Sequence, residues 1–452
     1  MAVQDLSAIH ATEAVGAPEG IFAPLHGVVA LAILLAVFVT LNPFSDLADP
    51  QVIDVSSGRE ALTYITLFSL TALSGLLLHA RIRLVIVPLA TAANLLLLAW
   101  LVISVISSSD PGTSARRLAI SGATFALAAA LPWLTKGLRQ FSNLMIAAVA
   151  TVLVLSYLGA LLVPELTIHQ LTDLSETDIA GDWRGIYAHK NIAAAMMAVF
   201  VYIGWFVART GRPGTGILLS GAAFVFLVLT GGKNALGMVF VAGIIAFLVV
   251  RARSLSAKAL VAFGPLALIS FLTVGSVVSE TARSLLAALP VDVTFTGRTE
   301  IWNFALDAIG AHPWKGHGFE AFWYSDAVRF GAEDSTRWMV DVSTSHNSYV
   351  DLVLTIGLPG LMFVVLAFLV APLRDFHRTL DTRANQELAR LFLTLWLFSL
   401  YFGIFEAFFL SRASPMWLVL ALAVCGLRFT SQYQVRDELQ AATPAAAQTV
   451  SG

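Results

Sequence analysis

Residues 142–164 read SNLMIAAVATVLVLSYLGALLVP, twenty-three positions without one charged side chain. Wound as a helix at 1.5 Å per residue, a run of that length reaches about 35 Å, enough to cross the ~30 Å hydrocarbon core of a bilayer. Inside lipid a helix is the form that satisfies every backbone N–H and C=O within one segment, so the run predicts a membrane span. It is one of twelve, near residues 23–42, 61–80, 84–106, 118–135, 142–164, 191–208, 215–230, 234–250, 257–278, 347–372, 388–410 and 415–430. The composition agrees: 58% of the chain is apolar and 12% charged, against about a quarter charged in ordinary soluble domains. A soluble globular protein is excluded. The expectation is an all-α polytopic integral membrane protein with about twelve transmembrane helices embedded in the lipid bilayer.

Charge sets the orientation and removes other classes of function. Lys and Arg number 27 and Asp and Glu 29, a net charge of -2, so no basic excess points to nucleic acid. Lys and Arg resist translocation, and fifteen of the 27 basic residues sit on one side, in short connections or just after the last span, for example Arg81, Arg209, Arg251, Arg374 and Arg428. Both termini are therefore expected in the cytoplasm. Arg116 and Arg117 run against that trend and are set aside. Cys425 is the lone cysteine, which rules out a disulfide within the chain and a cysteine metal cluster. Residues 1–19 lack the basic flank of a signal peptide, so the first span is expected to be retained. The predicted order is a cytoplasmic tail (1–22), nine spans (23–278), a large outer loop (279–346), three spans (347–430) and a disordered cytoplasmic tail (431–452).

Long loops usually carry function, and the outer side has two, at 164–190 and 279–346. In the second, Ile301, Trp302, Phe304, Ala305, Ala308 and Ile309 recur at helical spacing and predict a short amphipathic helix with Arg298 at its start. Gly310 and His312-Pro313 end it, and the glycines of Lys315-Gly316-His317-Gly318 permit tight turns. Ser343-Thr344-Ser345-His346-Asn347 then runs into the tenth span, with residue types that cap helix starts. Imidazole takes up a proton near neutral pH, so His346 can serve as a base; residue type alone favours an ordinary interfacial residue beside the cap Asn347. Arg184, Lys190, Lys233, Arg298 and Arg412 lie just outside spans on the side that disfavours cations. A bound diphosphate would account for them; so would lipid headgroups or nearby acids. Glu406 falls inside the predicted eleventh span, where an acid is costly, and Arg412 is its expected partner. The outward histidines (His169, His189, His312, His317 and His346) match no compact ligand motif, so no metal or other cofactor is expected.

Three elements together resemble the O-antigen ligase and Wzy-type polymerase family: Gly297-Arg298-Thr299-Glu300-Ile301-Trp302 continued by His312-Pro313-Trp314-Lys315-Gly316-His317-Gly318-Phe319; His346-Asn347 followed by Gly357-Leu358-Pro359-Gly360; and Gly185-Ile186-Tyr187-Ala188-His189-Lys190-Asn191. The stretch Phe319-Glu320-Ala321-Phe322-Trp323 looks nearest to the exopolysaccharide polymerases of that group. The resemblance implies a C-type glycosyltransferase (GT-C) architecture in a bacterial inner membrane, with its active site on the periplasmic face. It implies metal-free transfer of a glycan from an undecaprenyl-diphosphate carrier to an acceptor, either another lipid-linked glycan or lipid A-core. It places the catalytic histidine at His346 and the essential arginine at Arg298; beside these, the reading of the residues takes Arg184, Lys190, Lys233, Asn347 and Arg412 as diphosphate- or substrate-binding and Trp302, Glu406, Gly357 and Gly360 as supporting. Where the family commonly carries Thr-x-Ser-Arg, this chain has Thr230-Gly231-Gly232-Lys233, which keeps the charge and loses the bidentate fork.

Three functions follow from these readings. A repeat-unit polymerase is preferred, on the Phe319–Trp323 stretch; a ligase delivering the glycan to lipid A-core shares every motif; a transporter of polysaccharide or lipid-linked sugar is the rival of another class. Transporters place charged or broken-helix sites near the midplane, often in paired halves, and the sequence offers Glu406 as an intramembrane acid and no evident inverted repeat.

Overall fold

A computed structural model of the chain describes residues 23–40, 42–48, 57–173, 177–289, 295, 297–325, 328, 342–412 and 414–437. The expected N-terminal tail, most of the C-terminal tail and residues 329–341 of the large loop lie outside them. The described residues are mostly helical, with an isolated antiparallel bridge between Ile168 and Trp183.

The long helices are α1 (Ala23–Phe38), α2 (Ser57–Leu77), α3 (Ala92–Ile106), α4 (Pro111–Ala130), α5 (Leu138–Leu162), α6 (Lys190–Arg209), α7 (Pro213–Leu229), α8 (Lys233–Arg251), α9 (Leu255–Leu272), α10 (Arg298–Ala311), α11 (Ser348–Val364), α12 (Arg383–Phe402) and α13 (Pro415–Gln432). Each predicted span contains one of them. Among the described residues, seven helical stretches are long and apolar enough to cross a membrane, or eight when the pair 61–77 and 79–89, bent by 71°, counts as one. The run at 84–106 is not one helix: it is divided into Ile82–Ile86, Val87–Leu89 and α3. Pro88 accounts for the division, since it has no N–H to continue the ladder. α12 begins with Arg383, Glu387 and Arg390 in its first two turns, which dilutes its apolar character.

Glycine sets the closest approach. Gly204 of α6 and Gly216 of α7 face one another so tightly that a Cβ on Gly216 would lie 2.3 Å from the Ala208 nitrogen, the small-residue contact that lets membrane helices pack backbone to backbone. Among the described residues α12 and α13 are the most enclosed, and Trp396, Tyr401 and Trp417 are buried there with their polar atoms donating to Phe368, Ala262 and Ser121 carbonyls. Residues 431–437, expected within the C-terminal tail, are described and fold back onto the bundle. Tyr433 and Val435 are buried because Asn385 donates to the Tyr433 carbonyl and accepts from the Val435 N–H.

α11 is broken at Gly357, whose φ of 70° and ψ of 178° interrupt the helix. Pro359 has no N–H and the break redirects that of Leu358, so the Thr355 and Leu354 carbonyls lose their helical donors, while the Ile356 carbonyl lies at the break itself. Outside groups replace them: His317 N–H donates to Leu354, Gly318 N–H to Thr355, and Trp100 Nε1 to Ile356. The Leu358 N–H turns outward to the Pro313 carbonyl. A Cβ at Gly357 would lie 2.2 Å from the Trp314 carbonyl oxygen. The loop after α10 is thereby pinned into the break, as unpaired backbone in a membrane protein must be.

Candidate active site

Four helices, α6, α8, α10 and α11, begin at one end of the bundle, the end at which α12 stops. The connector Gly403–Ser414 crosses that end, and Glu406 lies on it. The expectation that Glu406 sits inside a span is corrected here: α12 finishes at Phe402, and the apolar run continues only because the connector itself is buried.

Glu406 is the hub. Its Oε1 accepts from Arg298 Nη2 at 2.8 Å and from Asn191 Nδ2 at 2.9 Å, while Oε2 faces His346 Nδ1 at 3.1 Å. Arg298 Nη1 also donates to the Phe405 carbonyl. Burial alone would push the Glu406 carboxyl up; the hydrogen bond and charge of His346, with the charges of Arg298 and His189, outweigh it and hold the group below the usual carboxylate range. The carboxylate therefore stays ionised, and a proton on His346 Nδ1 is the tautomer it selects, which leaves Nε2 with its lone pair.

The His346 loop is fixed from several directions. Its φ of 50° is left-handed, unusual for a residue with a Cβ. The fully buried Trp302 donates through Nε1 to the Ser345 carbonyl at 3.0 Å, and Asp351 accepts from the Ser345 N–H at 3.0 Å and from Trp323 Nε1 at 3.1 Å. Asn347 caps α11, accepting from the Tyr349 and Val350 N–H groups, and donates through Nδ2 to the Ile404 carbonyl at 2.8 Å. Ser348 ties the same turn to the connector through Gly403 and the Glu406 carbonyl. Gly360, with Gly357, belongs to the break nearly three turns further on, packed on Ile356.

The other cations divide. Lys190, at the start of α6, pairs with Asp182, and His189 caps that helix by accepting the Asn191 N–H. Lys233 is exposed at the start of α8, next to Gly231, where a Cβ would meet Asp182. These two, with Arg298, stand around helix starts, whose orphan N–H groups favour anions. Arg184 is different. It is 0% exposed, and its Nη atoms donate to the Tyr187 and Ser45 carbonyls, so its fork organises the loop. Arg412 does not pair with Glu406 as expected; its backbone N–H donates to Glu320 Oε1. Asn191, Asp351 and Arg117 were missed. Asn191 belongs to the quoted Gly185–Asn191 element, while Arg117, set aside as an exception to the charge rule, is buried and donates to the Glu320 carbonyl.

Among the described residues no three His, Cys, Asp or Glu side chains gather to hold a metal ion. The constellation can take a proton at Nε2, orient the base through a carboxylate and offer fixed positive charge to a leaving anion.

Residues 216–365 match the family model described as O-antigen ligase. The chain is also 28% identical over 219 residues to the exopolysaccharide production protein ExoQ of Rhizobium meliloti (strain 1021), a match covering 46% of this chain and 48% of that protein. The matched region is thus about half the length of that relative.

Proposed function

We propose, taking as premise that this chain is of the O-antigen ligase and Wzy-type kind, with the family's sequence model on residues 216–365, that it is a metal-independent inverting glycosyltransferase acting in polysaccharide biosynthesis. Twelve spans in a GT-C arrangement would hold it in the bacterial inner membrane with both termini cytoplasmic and the His346 end periplasmic. The observation that carries the reading is the Glu406 carboxylate, shared by His346 and Arg298.

The donor is a glycan linked to undecaprenyl diphosphate. His346 Nε2 removes the proton of an acceptor hydroxyl, whose oxygen attacks the anomeric carbon from the face opposite the diphosphate. The bond from that carbon to the phosphate oxygen breaks, the electron pair leaves with the diphosphate, and the configuration inverts. General-base assistance of this kind contributes about 10²–10⁴ in rate. The departing charge is met by Arg298, which has five N–H donors to divide between Glu406, Phe405 and phosphate, and by Lys190 and Lys233 at neighbouring helix starts. Pre-positioned charge of this sort is commonly the largest catalytic contribution.

The preferred acceptor is another lipid-linked repeat unit, because the relative that is 28% identical over 219 residues is named for exopolysaccharide production. The family description, O-antigen ligase, supports lipid A-core as the second reading. The test is transfer in nanodiscs by wild type and His346→Ala, with a defined undecaprenyl-diphosphate oligosaccharide, excess chelator, and lipid A-core offered or withheld. Elongation without lipid A-core, lost in the variant, is the expected result. Transfer only onto lipid A-core makes it a ligase, and a product that retains the donor's anomeric configuration refutes direct displacement.

A further inference from the structure

His169 and Asp173 take no part in the reaction above, yet both are buried in the loop between α5 and α6. The loop folds back on itself there: the His169 N–H donates to the Asp182 carbonyl at 2.9 Å, and the Gly181 N–H to the His169 carbonyl at 2.8 Å. His169 Nδ1 stands 3.0 Å from Asp173 Oδ2, and its Nε2 lies 3.2 Å from the nitrogen of Lys190, the first residue of α6. A backbone amide can only donate, so Nε2 holds the lone pair and the ring proton sits on Nδ1, given to the carboxylate. One residue on, His189 Nδ1 accepts the Asn191 N–H at 3.1 Å. Two imidazoles, their ring centres 5.4 Å apart, thus take the first two orphan N–H groups of α6. Each can accept only through a nitrogen that carries no proton.

That first turn carries part of the site. Asn191 Nδ2 reaches Glu406 Oε1 at 2.9 Å, the oxygen that Arg298 shares, and the Lys190 ammonium pairs with Asp182. Asp173 therefore stands behind His169 as Glu406 stands behind His346, and the second pair grips the helix that steadies the first.

We propose that His169, oriented by Asp173, is a positioning residue for glycan transfer: by accepting the Lys190 N–H it holds the start of α6 so that Asn191 keeps Glu406 set for His346. The assignment rests on the transferase reading. The charged and titratable groups around the ring are Asp173, then Arg184 with its fork on the Tyr187 and Ser45 carbonyls and Asp46 nearby, and, at the α6 start, His189 and the Lys190–Asp182 pair; Glu406 lies beyond His189. Burial, with the charges of His189 and Arg184, lowers the His169 imidazole against the upward pull of Asp173. A proton on Nε2 would oppose the Lys190 N–H, so the anchor is whole at neutral pH and is lost as the pH falls through that lowered value.

The test uses the full chain in nanodiscs. His169→Leu removes the acceptor, and single-turnover transfer at neutral pH should fall about tenfold to a hundredfold, the scale of a small misplacement in a site. His169→Gln places a carbonyl oxygen that does not titrate near the position of Nε2 and should rescue that loss. In acid it should outpace wild type about tenfold, because both keep His189 and His346 while wild type alone loses the anchor. Hydrogen exchange, corrected for its intrinsic pH dependence, reads the same event without substrate. Protection of the Lys190 amide should drop about tenfold or more in acid in wild type and hold in His169→Gln, with α12 unchanged in both. Should His169→Leu not fold, the ratio of His169→Gln to wild type across pH carries the test. Matching pH profiles for those two, or wild-type protection at Lys190 that does not drop in acid, overturns the assignment. Protection that follows pH in a wild type transferring no glycan would keep the anchor and refute the transferase.

Discussion

Replacing Glu406 with Gln exchanges one oxygen for an amide nitrogen at a point where every neighbour is a donor. Arg298 Nη2 at 2.8 Å and Asn191 Nδ2 at 2.9 Å address one carboxylate oxygen, and His346 Nδ1 at 3.1 Å the other. If the new NH₂ takes the first position it opposes two N–H donors that cannot reverse. It therefore takes the second, and His346 must turn its Nδ1 lone pair toward it. The imidazole proton then sits on Nε2, and the base has lost its acceptor. In a serine-protease triad the same exchange of the orienting carboxylate for its amide lowers kcat by about 10⁴; here, with His346 partly open to solvent, we expect a loss of about 10²–10⁴, the range of general-base catalysis. Single-turnover transfer from a labelled lipid-linked oligosaccharide measures it, because product release is then removed from the rate. Donor KM should change far less, since Arg298, Lys190 and Lys233 remain. Wild-type kcat in Glu406→Gln would show that His346 does not work as a base oriented by this carboxylate.

Arg298→Lys keeps the charge but loses the fork that reaches Glu406 and Phe405 together, and the transfer rate should fall by about 10²-fold or more, as for loss of one oxyanion donor. Gly357→Ala meets both a φ of 70° and a carbonyl oxygen 2.2 Å from the new Cβ, so thermal unfolding in detergent should reveal a destabilisation of about 2–4 kcal/mol, strain and overpacking combined. For pH, the Glu406 carboxyl lies below the usual carboxylate range in the folded chain. Its stabilisation is therefore complete above that range and is lost as the pH falls through the lowered value; acid unfolding profiles should show a component that disappears in Glu406→Gln.

Uncharged runs placed the helices, since lipid leaves a backbone few options, and residue type placed the Asn347 cap and the start of α10 at Arg298. What escaped the sequence depends on partners far along the chain. The end of α12 was invisible because Ile404, Phe405 and Phe408 of the connector are as buried as the helix before them, so hydropathy does not change where the helix stops. Arg184 and Arg298 are the same residue type in similar loops, and only the fold turns one toward backbone carbonyls and the other toward a carboxylate. Arg117 broke a statistical rule for a local reason, its bond to Glu320, which no spacing announces.

The left-handed backbone at His346 has a consequence for stability as well as for the base. A side chain held at φ 50° costs about 1–3 kcal/mol that glycine would not incur, and the His346 bond to the buried Glu406 carboxylate sets against that strain. The same contact that orients the base thus also holds its backbone in place, so a change at this position is felt in both stability and turnover.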